Sequence, residues 1–138
     1  MNGVGGTTVL RTLMGSAGKL KVVRGTGGFR PNAGSAPNST LFRGSLKGLY
    51  TVTYGATGLF TVTFTPTGFK FVAGQLPLIL VQSTTADHTN THRFNAMRRG
   101  EWVNSTRSFI IQASQEATAF EVPSNANNWI DFYIEGLV

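Results

Sequence analysis

From Leu49 onward apolar and polar positions alternate with a period of two. Tyr50, Val52 and Tyr54 are separated by Thr51 and Thr53, and Phe60, Val62 and Phe64 by Thr61 and Thr63. Successive side chains of a strand point to opposite faces, so each run predicts a strand with one aromatic and one threonine face. The residues between them, Gly55, Ala56, Thr57 and Gly58, have the length and glycine content of a hairpin loop. The pair is therefore expected to be antiparallel, its aromatics inward and its threonines exposed or paired with another chain.

Further strands are predicted over 19–24, 41–47, 69–72, 76–82, 91–97, 107–113, 118–122 and 129–137. The last sets Ile130, Phe132 and Ile134 against Asp131, Tyr133 and Glu135. Pro77 cannot donate to a ladder, which places its segment at a strand start or a sheet edge. Strands recurring at intervals of roughly 8 to 15 residues predict an all-β fold, an antiparallel β-sandwich or jelly roll.

The first third of the chain breaks the pattern. Eleven of the 17 glycines fall within residues 1–48. Stretches such as NGVGG and GTGGFRPNAGSAPNST lose much backbone entropy on ordering and return little apolar burial. They read as an extended, Gly-rich N-terminal arm and loops, with GTGGF as a turn; Val9, Leu10, Leu13 and Met14 could make one helical turn before Gly15 ends it. The expected division is a basic arm with lead-in strands over 1–48 and a β-sandwich core over 49–138.

Composition narrows the class. Leu, Ile, Val and Phe are plentiful enough for a real core, and with no cysteine the chain has neither disulfides, thiolate metal ligands nor a thiol nucleophile. No apolar run reaches the length of a membrane span, and Arg11 interrupts the only candidate for the apolar part of a signal peptide, so a protein made in the cytoplasm and not associated with membrane is expected. Charge is unevenly placed. Residues 1–86 hold Arg11, Lys19, Lys21, Arg24, Arg30, Arg43, Lys47 and Lys70 and no acid, whereas all six acids lie beyond them. Such a field favours an acidic partner: nucleic acid, an acidic protein surface or the C-terminal half of another copy.

Catalytic and metal chemistry find little support. His88 and His92 lie four apart beside Asp87, but ADHTNTHRF reads as a polar loop between strands, not the helix that would set both imidazoles on one face. There is no nucleophile elbow and no phosphate-binding loop. The carboxylates Asp87, Glu101, Glu116, Glu121, Asp131 and Glu135 show no paired placement. No catalytic residue, metal or cofactor is therefore assigned, and no enzyme activity is expected. Arg24, Phe29, Arg30, Phe42, Arg43, Lys47 and Tyr50 interleave cations with aromatics as a single-strand nucleic-acid groove does, although aromatics at alternate strand positions are more economically core. Arg98 and Arg99 before Gly100 and Glu101 read as a turn with a local ion pair. The Asn-Ser-Thr tripeptides at Asn38 and Asn104 read as loops.

The stretch GSAPNST (34–40), then GATGLFTVTFTPTGF (55–69), the apolar LPLILV (76–81) and the final IDFYIEG (130–136) together resemble the small β-sandwich virion proteins of tailed bacteriophages. The resemblance covers about residues 30–138. It implies a capsid decoration or cement protein, or a fibre or spike component, commonly trimeric and without catalytic residues. The expected partners are the major capsid protein and further copies of the chain in a homotrimer, on the virion surface. Arg11, Lys19, Lys21, Arg24 and Arg30 of the arm would face acidic coat groups while Phe29 fills an apolar notch. On this reading, loss of residues 2–30 removes capsid binding and spares the sandwich. A spike role would instead put Trp102, Trp129 or Tyr133 against the sugar rings of a host glycan.

Overall fold

The structure, a computed structural model, describes residues 21–32, 35–56, 58–67, 69–84, 94–115 and 128–138. Seven strands form among them: β1 (Val22–Phe29), β2 (Tyr50–Ala56), β3 (Leu59–Phe64), β4 (Leu78–Thr84), β5 (Phe94–Val103), β6 (Ser108–Gln115) and β7 (Trp129–Leu137). They build two antiparallel sheets, β1-β7-β4 and β2-β3-β6-β5, packed face to face as a β-sandwich. The β2–β3 hairpin forms with Val52 opposite Val62 and Thr53 opposite Thr61, as the alternation predicts.

Aromatic rings fill the space between the sheets. Phe29, Phe60, Phe64, Phe109, Phe132 and Trp102 are all buried, with Val62, Ile111, Ile130 and Ile134 between them. Phe132 of β7 meets Tyr50, Phe64 and Phe109 edge to face, an arrangement that satisfies the ring quadrupoles while closing the gap between layers.

The glycine-rich stretch differs from its sequence reading. GTGG is not a turn but the middle of β1, paired with β7 from Val22 opposite Leu137 to Phe29 opposite Ile130. The sandwich therefore begins at Val22, and residues 22–48 contribute Phe29, Phe42 and Leu46 to its core. At Gly27 the missing side chain makes room for a ring: a Cβ there would overlap Phe132. A deletion running to residue 30 thus removes a whole strand, and an informative one must stop before Lys21.

Residues 41–47 do not form a strand. They make a short 3-10 turn (Ser39–Leu41), capped by Asn38 whose side chain accepts from the Thr40 N–H, and then run along the outer edge of β1. There the Arg43 N–H donates to Gly28 O at 2.9 Å, the Leu46 N–H to Thr26 O at 2.9 Å, and the Thr26 N–H to Ser45 Oγ at 2.9 Å. The loop thereby covers edge groups that would otherwise invite another chain. Gly44 is needed for this path, with φ at +98° and its Cα side against the β1 backbone.

Tyr50 pins the loop to both sheets. Its hydroxyl accepts from the Gly28 N–H at 2.9 Å and lies 2.9 Å from Gly28 O and 3.0 Å from Arg43 O as a donor. Burial raises the Tyr50 pKa above its usual value, against the opposing bonds to Gly28. A phenol whose folded pKa is raised stabilises the fold below its unfolded pKa and loses that contribution as pH rises through and beyond it. Stability should accordingly be flat to about pH 9 and fall above about pH 10. In urea titrations across this range, Tyr50→Phe should flatten the alkaline fall; an unchanged profile would remove Tyr50 as its source.

Residues 69–72 also stay outside the sheets. Phe69 and Phe71 nevertheless pack inward, Phe69 stacking on Phe64 at 4.2 Å. Asn104, in the β5–β6 turn, holds this segment: its Oδ1 accepts from Trp102 Nε1 at 2.7 Å and the Phe71 N–H at 2.9 Å, and its Nδ2 donates to Phe71 O at 2.6 Å. Asn104→Ala is expected to cost about 2 kcal/mol in chemical denaturation, because three partly buried groups lose their partner together. Arg98 and Arg99 lie within β5 rather than in a turn, with the bulge between Arg99 and Val103 and Gly100 at φ +76°. The ion pair expected there is not among those of the described residues.

Candidate functional site

The outer face of the β1-β7-β4 sheet brings cations, carboxylates and a phenol together. Cross-strand register sets Arg24 and Leu78 on either side of Glu135, Thr26 and Leu80 on either side of Tyr133, and Gly28 and Gln82 on either side of Asp131. These residues alternate with the inward Ile130, Phe132 and Ile134, which is why one face is polar and the other dry.

At one end, Arg43 reaches over the sheet from its loop. Its Nε and Nη2 donate to the two Asp131 carboxylate oxygens at 2.8 and 2.6 Å, a two-pronged bond that also holds the guanidinium protonated more firmly. The same guanidinium lies 3.7 Å from the centroid of the Trp129 ring, and Arg30 adds a second cation at 4.9 Å. Trp129 is thus already stacked, and Asp131 already neutralised.

Between the Arg43–Gly44 loop and β4 lies an open groove of about 460 Å³. Asp131 and Tyr133 make its floor, Thr26 and Arg43 one wall, and Leu80 and Gln82 the other. The Tyr133 hydroxyl donates to Glu135 Oε2 at 2.7 Å, and this bond, first among its causes, raises the phenol pKa.

The β4 side of the face is apolar from the groove wall at Leu80 to the far end, which Arg24 and Glu135 share. Leu76, Leu78 and Leu80 are 56, 53 and 56% exposed, a row uncommon on a surface that meets only water. Lys21 joins the same end, where its backbone N–H and C=O exchange bonds with Val138.

Of the arm residues singled out in the sequence, Arg11 and Lys19 lie outside the described residues. Lys21, Arg24 and Arg30 lie on or beside β1, whereas Phe29 is wholly buried among Phe42 and Phe60 and cannot fill a notch on a partner. His88, His92 and Asp87 also fall outside the described residues, as does the strand expected over 118–122; among the described residues no cluster of three metal-ligating side chains occurs. Phe29, Phe42 and Tyr50 turn into the core, so none of these three rings is exposed between the cations read as interleaved with them. Trp102 is buried, and of the three candidate sugar platforms only Tyr133 lines the groove. The Arg43–Asp131 pair joins positions far apart in the chain, and no local pattern announces it.

Compared with known proteins, the chain matches no family model, no curated protein and no solved structure.

Proposed function

We propose that this chain is a non-enzymatic structural protein of a tailed-phage particle, a decoration or cement protein that docks on the capsid shell as a small oligomer. The observation that carries the reading is the row of half-exposed leucines, Leu76, Leu78 and Leu80, along the outer side of β4, on the same sheet as Lys21 and Arg24. Exposed apolar residues beside charged groups of both signs, on a rigid scaffold, are the composition of a protein-docking surface. Several such contacts on one oligomer add by avidity, each weak alone. The charge separation in the sequence gives less reason to invoke nucleic acid once β1 lies beside β7, since Arg24 then faces Glu135 and Arg43 pairs with Asp131.

Purified particles from the source test the reading by the copy number of this chain relative to the major coat protein. Copies in the hundreds support decoration, a few to a dozen a spike or fibre, and none overturns a virion role. A chain lacking residues 2–19 should retain the sandwich by circular dichroism and lose particle binding; retained binding would overturn the role given to the arm.

A further inference from the structure

We infer that the groove between the Arg43–Gly44 loop and β4 is a binding site for a neutral saccharide of one to two rings, which goes beyond attachment to a capsid. Its volume of about 460 Å³ falls in the range of small-molecule sites, about 300–1,000 Å³. Its lining combines what a sugar presents. Tyr133 and Leu80 face each other in cross-strand register and offer an apolar platform to C–H groups, while Gln82, Thr26 and the Arg43–Asp131 pair offer donors and acceptors to hydroxyls.

Two observations separate a saccharide from other occupants. The floor is the central strand β7, whose backbone groups are committed to β1 on one side and β4 on the other. An extended peptide lying there finds no main-chain ladder to join, and recognition must go through side chains, which suits hydroxyls. Arg43 is already held by both oxygens of Asp131, so the groove carries no net charge to reward phosphate, sulfate or carboxylate. The same bidentate bond and the Trp129 stack beneath it fix Arg43 before any ligand arrives, which lowers the ordering cost of binding.

The test is a ¹H–¹⁵N titration of the full chain with maltose, cellobiose, lactose and N,N′-diacetylchitobiose, each to about 20 mM. At least one should shift the Gln82 side-chain amide and the Thr26 and Tyr133 backbone resonances saturably. Gln82→Ala, on an exposed position of β4, should weaken that binding about tenfold without altering the fold, and Tyr133→Ala should weaken it further. Sulfate and a tetrapeptide at the same concentration should leave these resonances in place. Flat titrations with all four sugars, or binding unaffected by Gln82→Ala and Tyr133→Ala, would overturn the assignment. Particle copy number is measured independently, so either proposal can fail without the other.

Discussion

Phe64→Ala is expected to lower the stability of the sandwich by about 3–5 kcal/mol. The ring is fully buried, stacks on Phe69 with 3° between planes, and touches Tyr50, Trp102 and Phe132 as well. It therefore belongs to both sheets and to the 69–72 segment at once. The site has little freedom to collapse, because the Phe64 N–H donates to Arg107 O at 2.9 Å and Phe64 O accepts from Arg107 Nε at 3.0 Å. Domains of this kind have about 5–15 kcal/mol in all, so the loss should move the urea midpoint far to lower concentration and weaken the near-ultraviolet circular dichroism of the aromatic cluster. A shift worth under about 1 kcal/mol would mean that Phe69 and Trp102 close the space, contrary to the packing described.

The opposite error, too much volume, is tested at Gly27. A valine there would drive its Cβ into the Phe132 ring, and that ring is held edge-on by Tyr50, Phe64 and Phe109. Gly27→Val should cost about 3 kcal/mol or more, at the upper end for overpacking, because relief requires β1 to leave β7. Gly55→Ala is the control: no atom lies within 4 Å of its Cβ, and its effect should stay within about 0.5 kcal/mol. Equal effects at the two positions would contradict the close approach of β1 to Phe132.

The contrast between these glycines shows where the sequence is legible. The β2–β3 hairpin and β7 are written in alternating threonines and aromatics, and burial of one face fixes their register. Gly25, Gly27 and Gly28 have no side chain with which to signal a face, so the strand read over 19–24 breaks off there and the second half of β1 reads as a turn, although β1 is paired along its whole length. Its specification lies elsewhere, in the bulk of Phe132 and Leu46 that needs the space. Residues 41–47 carry the apolar Leu41, Phe42 and Leu46, and residues 69–72 alternate Phe69 and Phe71 with Lys70, yet the backbone of one serves the edge of β1 and that of the other is tied by Asn104.

The face with the groove was legible only in fragments. Tyr133 and Trp129 stand out as aromatics in a terminal strand, but which of them is accessible depends on Arg43, a residue 88 positions from its partner Asp131. Cation and carboxylate meet because β7 lies between β1 and β4, a pairing between the two ends of the chain that composition and spacing do not encode. The one-sided charge of the sequence has the same origin: it separates cations from acids along the chain and reunites several of them across β1 and β7.

The mutual bonds between Lys21 and Val138 have a mechanical consequence. A pull on the residues before Lys21 directed away from the sheet loads one rung of the β1–β7 ladder at a time, and the strand peels as a zipper opens. A pull along the axis of β1, away from Phe29, loads all eight paired positions together and must shear them at once. If the arm fastens the protein to a shell under outward pressure, the sandwich resists far greater force when coat subunits draw the arm out in line with β1 than when they lift it from the corner. The angle at which the arm leaves Lys21, more than the number of its contacts, then sets the load at which the fastening gives way.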